Sequence, residues 1–311
     1  MRSGSSLLAA LVVCLVSGTA LAQYTRSAGV NAPSVAARED YVDATGTRQQ
    51  REVQVKAAPD RHGNASGNQH DLAVDGAFDG QTVAVLHFYA MENFDFSLPK
   101  KALAEKGFSV YRWVGQPPSP EELEAKLKKA CQLWIISSDR QLLSKEHLAV
   151  IKRFFDSGKG VYIWGDNEPY YADANAVAQA LLGTEMRGNL RGDQVVGLQK
   201  APGQTGLLPR HLLTTGLEYI YEGITIATIQ PNPSLTPLIY GSAGNLVAAF
   251  HDKGGKRAIL DGGFTRLYVK WDTAGTGRYV KNAAAWLVNV ERFGEAVVAR
   301  QLRKDDAKRP Q

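Results

Sequence analysis

Leu133-Trp134-Ile135-Ile136-Ser137, the run 145–157 and Gly160-Val161-Tyr162-Ile163-Trp164 form one strand, helix, strand unit. The outer runs are short and apolar at nearly every position, which is the pattern of strands buried on both faces of a parallel sheet. Between them Leu148, Ile151, Phe154 and Phe155 share one helical face, and Gly158 and Gly160 end the helix. Working upstream, residues 82–89 are a similar apolar run. A helix over 98–105 follows, ended by Gly107, and then a strand over 108–114. Ser119-Pro120-Glu121-Glu122 places an N-cap serine, a proline at the first helical position and a glutamate spaced to close a capping box ahead of Leu123 and Leu127.

Working downstream, residues 172–182 read as a helix ended by Gly183. Beyond Glu185 the pattern loosens into strand-like runs at 219–229, 238–240, 246–251 and 257–260. Asp252-Lys253-Gly254-Gly255 makes the last two a hairpin. Residues 279–290 are amphipathic, with Val280, Ala283, Ala284, Leu287 and Val290 on one side. Four strand and helix units in succession predict an α/β fold, a flavodoxin-like open parallel sheet with helices on both faces, over residues 81–294. No internal repeat is visible.

The flanks differ in kind. Residues 1–22 have a basic start, an apolar run of ten residues from Leu7 to Val16 and an Ala-x-Ala-like end at Ala22, which together predict a secretory signal peptide. A lipidated Cys14 is the competing reading, but Cys14 follows Val13 inside the apolar run. A periplasmic or secreted protein without a membrane span is expected. Residues 23–80 are rich in Ala, Gly, Ser, Asn, Asp and Arg without sustained periodicity and read as a flexible linker. Residues 295–311 read as a charged tail.

The 311 residues are 44% hydrophobic and 22% charged, with a net charge of +5, so a fully disordered chain is excluded. The basic excess is spread among acids, which argues against nucleic acid as a partner. Removal of Cys14 with the leader leaves Cys131 as the sole thiol, and this excludes a disulfide framework and a four-cysteine zinc site. No His-x-x-x-His spacing occurs. Pro202-Gly203-Gln204-Thr205-Gly206 lacks the lysine of a phosphate-binding loop, so neither a metal nor another cofactor is expected.

The succession Val83-Ala84-Val85-Leu86, Lys106-Gly107-Phe108-Ser109-Val110, Leu133 to Ser137 and Phe154 to Ile163 resembles the class I glutamine amidotransferase-like superfamily. It is similar in particular to its non-catalytic branches, the trehalose-utilisation-type domains and the related domains of gliding and intraflagellar transport proteins. Gly255-Lys256-Arg257-Ala258-Ile259-Leu260-Asp261-Gly262-Gly263-Phe264 and Asn282 to Leu287 have the character of their closing strand and helix. The resemblance implies a catalytic cysteine on the turn after a strand, completed by a histidine and an acid. Here the matching turn, Ile163 to Pro169, contains no cysteine, and Cys131 lies at the entrance to a strand.

Open α/β sheets bind ligands at the carboxyl ends of their strands. The residues expected there are His87, Tyr89, Glu92 and Asp95, then Ser137, Ser138, Asp139 and Arg140, then Asp166, Asn167 and Glu168, and finally Asp261 and Arg266. Adjacent strands would join them into one polar rim, with Trp164, Tyr170 and Tyr171 as flat surfaces for sugar rings. Each is equally readable as a residue serving only its own turn. The expected function is an exported, non-catalytic binding or assembly module for a polysaccharide, a peptide or an envelope protein. The alternative is a hydrolase using Asp166, Glu168 and Asp139, and a third reading makes residues 185–240 a partner-binding insertion.

Overall fold

The computed structural model describes residues 34–91, 94–271 and 274–295. The predicted leader and nearly all of the predicted tail lie outside them. Strands β1 (Ser34–Val42) and β2 (Arg48–Lys56) come first. Next are β3 (Thr82–His87), α1 (Ser97–Glu105), β4 (Ser109–Val114), α2 (Pro120–Leu127), β5 (Gln132–Ile136), α3 (Lys145–Asp156), β6 (Gly160–Trp164) and α4 (Ala172–Leu182). Then come β7 (Met186–Arg191), β8 (Val195–Val196), β9 (Gly206–Leu207), β10 (Ile220–Tyr221), β11 (Thr225–Ile229) and β12 (Thr236–Tyr240). The chain continues through β13 (Leu246–Lys253), β14 (Lys256–Asp261) and α5 (Thr276–Leu287).

An eight-stranded sheet with the order β4-β3-β5-β6-β14-β13-β12-β9 forms the centre. Its first five strands are parallel, and in chain order among themselves they run 2-1-3-4-5, the order of flavodoxin-like doubly wound sheets. The expectation of a purely parallel sheet is corrected at one side, where β13, β12 and β9 add antiparallel. The cause is local. Gly254 and Gly255 take φ of 61° and 68°, the positive values a two-residue hairpin turn demands, and so tight a connection permits only antiparallel neighbours.

The pleat divides the core in two. Val83, Val85, Trp134, Ile136, Tyr162, Trp164 and Ile259 face α1 and α5, whereas Ala84, Leu86, Leu133, Ile135, Val161, Ile163 and Leu260 face α2, α3 and α4. Because both faces are covered, the central strands are apolar throughout rather than alternating. Each fully buried Leu, Ile or Val there contributes about 1.5–3 kcal/mol of burial.

The helices begin where their caps direct. Ser119 Oγ accepts from Glu122 N at 3.2 Å, as the motif predicts, but the Glu122 carboxylate accepts from Trp113 Nε1 at 3.2 Å and so ties α2 to β4. In α3 the capping box is closed by His147, whose Nδ1 accepts from Ser144 N at 3.2 Å. Helix α4 ends at Gly183 with φ 65°.

The flexible linker expected over 23–80 is corrected for its described part. Residues 34–56 form the β1–β2 hairpin, turned by Asp43, whose Oδ1 accepts from Thr45 N at 2.9 Å and Thr47 N at 3.0 Å. Residues 57–80 lie along the body, fixed by polar contacts and by Phe78, which is buried with its ring stacked 4.7 Å from Phe108. Asn64 Oδ1 accepts from Glu218 N and Tyr219 N at 2.8 and 2.9 Å, and Leu72 N donates to Asn282 Oδ1 at 2.8 Å. Buried Asp71 receives Arg278 at 2.8 Å and both Lys281 and Lys106 at 2.9 Å. Burial alone would raise the Asp71 carboxyl, but hydrogen bonds from Lys281, Arg278 and Lys106 outweigh it and hold the group below the usual range. Residues 185–240, read as an insertion, include strands β9 and β12 of the central sheet, and Ile220, Tyr221 and Ile226 are buried.

Candidate functional site

The carboxyl ends of β3, β5, β6 and β14 meet on one side of the sheet. Hydrogen bonding continues past the strands there, with Phe88 N on Ile136 O at 2.9 Å, Ser137 N on Trp164 O at 3.0 Å and Gly165 N on Asp261 O at 2.9 Å. The loops therefore start in register. Phe264 N donates to Gly165 O at 3.0 Å, which folds the segment after β14 across the turn after β6. Gly165 is required by close packing, since a Cβ there would lie 2.5 Å from Met186 Sδ.

Three of the expected site residues come together below this surface. Asp261 Oδ2 accepts from Arg266 Nη1 at 3.0 Å and from the Tyr279 hydroxyl at 3.1 Å, while Oδ1 accepts from Gly263 N at 3.0 Å. Arg266 Nη2 donates to Glu222 O at 2.7 Å. Burial pushes Asp261 up, opposed by the Arg266 charge, and Arg266 itself stays firmly protonated beside that carboxylate. Asp166 is buried next to them, accepting from Asn167 N at 3.0 Å, and burial drives its carboxyl well above the ordinary range. That shift favours the neutral acid. Asp166 and Asp261, expected on an exposed rim, are thus inside the protein, because the segment 263–268 closes over them.

The remaining candidates are dispersed. His87 is buried, and Arg112 Nη1 donates to its Nδ1 at 2.9 Å, which puts the ring proton on Nε2. Burial, then the Arg112 charge, lowers His87 to about 4. Asp139 is exposed and accepts from Ser138 Oγ at 3.1 Å in its own turn. Asn167 Oδ1 accepts from Thr225 Oγ1 at 2.7 Å, and Glu168 is exposed beside a cis bond to Pro169. Glu92 lies outside the described residues. Trp164, expected as a stacking surface, is wholly buried with its ring 4.2 Å from that of Tyr162, so it belongs to the core.

The surface over Asp166 is aromatic. Half-buried Tyr89 stands with its ring 4.9 Å from Phe264 and 5.2 Å from Tyr170. Half-buried Tyr268 meets Phe94 edge-on at 4.3 Å. Burial first, then a hydrogen bond with Tyr89, raises the Tyr268 phenol, so it remains a neutral donor. Sequence reasoning named Tyr89 and Tyr170 but missed Tyr268, Phe264 and Phe94. The available signal was Phe264-Thr265-Arg266-Leu267-Tyr268, which directly follows the last core strand. The arrangement offers flat apolar faces, phenolic hydroxyls and a buried neutral carboxyl. Such a surface suits stacking and hydrogen bonding to an uncharged polar ring.

Cys131 sits at the opposite side, at the amino end of β5, where its Sγ donates to Thr82 O at 3.3 Å. Among the described residues no three His, Cys, Asp or Glu side chains converge to hold a metal ion, and no helix is long and apolar enough to cross a membrane.

No protein-family model matches the chain, and no curated protein matches it. Similar solved structures include an exo-beta-1,4-mannosidase from Opitutaceae bacterium strain TAV5, at 14% identity over 67% of this chain and TM-score 0.38. This chain spans 36% of the mannosidase. A GMP synthase component from Thermoplasma acidophilum shows 10% identity over 66% of this chain and 95% of its own, with TM-score 0.44. A ThuA-like protein from Parabacteroides merdae shows 12% identity over 68% and 90%, with TM-score 0.45.

Proposed function

We propose that this chain is an exported, non-catalytic binding module of the cell envelope with an amidotransferase-like fold, and that its mouth takes a sugar ring of an envelope polysaccharide. The observation that carries the reading is the group Tyr89, Tyr170 and Tyr268, gathered half-buried at the carboxyl ends of the parallel strands. Stacking on such rings is worth about 0.5–1.5 kcal/mol per contact beyond area burial. Export to the periplasm or exterior rests on the leader pattern of residues 1–22. The non-catalytic reading is supported by the position of Cys131 on the far side of the sheet and by the enclosure of Asp261 with Arg266.

A hydrolase remains the second reading, and one observation favours it. Asp166 is buried beside the tyrosines, and burial raises its carboxyl well above the ordinary range, the direction a general acid needs. The two readings part on one experiment. Isothermal titration with envelope polysaccharides, run alongside product analysis, is expected to show binding that Tyr268→Ala weakens about tenfold, without released sugar. Turnover abolished by Asp166→Asn would establish the hydrolase, and binding indifferent to Tyr268→Ala would remove the mouth from either reading.

A further inference from the structure

The hairpin β1–β2 pairs over nine residues with itself and with no third strand among the described residues. From Ala36 to Lys56 its residues are exposed except for Ala37, Asp43 and Val53, which are half-buried. A two-stranded ribbon without a third strand or a covering layer is marginal in water.

The sheet of the body has a matching deficiency. Among the described residues its outermost strand, β4, is paired only with β3. Ser109 N donates to Gln81 O and Gly115 N to His87 O, at 2.9 and 2.8 Å, so the odd-numbered residues turn their backbone groups toward β3. By the alternation of a parallel strand, Val110, Arg112 and Val114 aim their N–H and C=O groups outward. The edge has no proline, and Tyr111 and Val114 are exposed on it at 38% and 51%. Long uncovered edges of this kind recruit another strand. At six residues β4 offers about 20 Å of edge, shorter than either strand of the hairpin.

We propose that the hairpin is an arm whose β1 strand adds to the free edge of β4 in a second copy of this chain. Charge selects the strand. The edge carries Arg112, one nitrogen of which is held by His87 at 2.9 Å, and Lys126 over the Tyr111 ring at 4.6 Å, against the single Glu122 on Trp113. Strand β1 brings Glu39, bridged to Arg51 across the hairpin at 2.8 Å, and Asp40 against a single Arg38, whereas β2 brings Arg48, Arg51 and Lys56 against a single Glu52. A second copy is the fitting occupant because the same chain carries both the acidic-biased strand and the basic edge. Reciprocal exchange then closes a two-fold dimer with neither edge left open.

Sedimentation of the full chain, as processed by the producing cell, tests this with two variants that spare the body. Val114→Pro removes an outward N–H without touching the β3 ladder, and the pair Glu39→Lys and Asp40→Lys reverses the charge of β1. A concentration-dependent dimer is expected, its dissociation constant raised at least about tenfold by either variant. Hydrogen exchange at Val110 and Arg112 slows in that dimer and not in the variants. A monomer at all concentrations, or a dimer untouched by both changes, overturns the proposal. A dimer weakened by the charge reversal but not by Val114→Pro overturns β4 as the receiving edge.

Discussion

Arg266 donates to Asp261 at 3.0 Å with both side chains wholly out of solvent. The contact ties the end of the last core strand to the segment that closes over Asp166, and Tyr279 and Glu222 O complete it. Removing one partner leaves a buried charge uncompensated, which typically costs about 3–5 kcal/mol. Arg266→Met alone is expected to lower the unfolding free energy by about that amount in urea titration. Joint replacement with Asp261→Leu recovers most of the loss, and equal losses in the single and double variants would show that the pair is not what matters.

The raised carboxyl of Asp166 makes a prediction with a definite sign. Its folded pKa lies above the unfolded value, so above about pH 4 the folded state retains a proton that the unfolded chain has released. Stability from this group is fully present below that pH and is lost as pH rises toward the folded value. Asp166→Asn keeps the shape and abolishes the titration. The melting temperature of the variant minus that of the parent should widen from pH 4 to pH 7, whereas parallel curves by calorimetry would refute the assignment.

His87 works in the opposite direction. Its folded pKa is about 4 against an ordinary 6.5, so between those values the unfolded chain binds a proton that the folded chain refuses. Stability therefore rises with pH across that window, by roughly 3 kcal/mol for a group so buried. His87→Gln, which keeps a neutral polar group beside Arg112, is expected to flatten the slope of unfolding free energy between pH 4 and 6.5. A slope unchanged in the variant would place the acid sensitivity elsewhere.

Cys131 gives a negative control for the mouth. Lying at the amino end of β5, it is separated by the length of the strand from Tyr89 and Tyr170. Cys131→Ala should leave binding at the proposed sugar site within about twofold while lowering stability by up to about 1 kcal/mol for the lost Thr82 contact. Loss of binding on thiol alkylation of the folded protein would contradict this placement.

The legibility of the sequence followed the physical origin of each element. Strands β3, β5 and β6 were readable because burial on both faces requires uninterrupted runs such as Leu133 to Ile136. Helices α2 and α3 were readable from Ser119, Pro120 and the Phe154–Phe155 face. Strand β7 was not read at all, and β10 and β11 were run together as 219–229, because the pairing of β7 with β11, which sets Ile226 opposite Leu190 across the intervening β8, β9 and β10, is fixed by tertiary contact rather than by local pattern. The hairpin was missed although Val53 and Val55 alternate with Glu52, Gln54 and Lys56 behind a turn nucleated by Asp43. The site was half legible: strand ends located Asp166, Asp261 and Arg266, but only the closure by Phe264 to Tyr268 shows that they are buried.

The contacts of residues 64–72 with α5 set an order of events during synthesis. Arg278 reaches Asp71 across 207 positions, and Asn282 reaches Leu72 across 210. The ribosome delivers one member of each pair long before the other. Through most of translation Asp71 has Lys106 but neither Arg278 nor Lys281 to meet, and the sheet face that α5 covers stays open. A nascent chain truncated before residue 276 should accordingly be protease-sensitive along its length, and acquire protection in a single late step once the final helix has emerged.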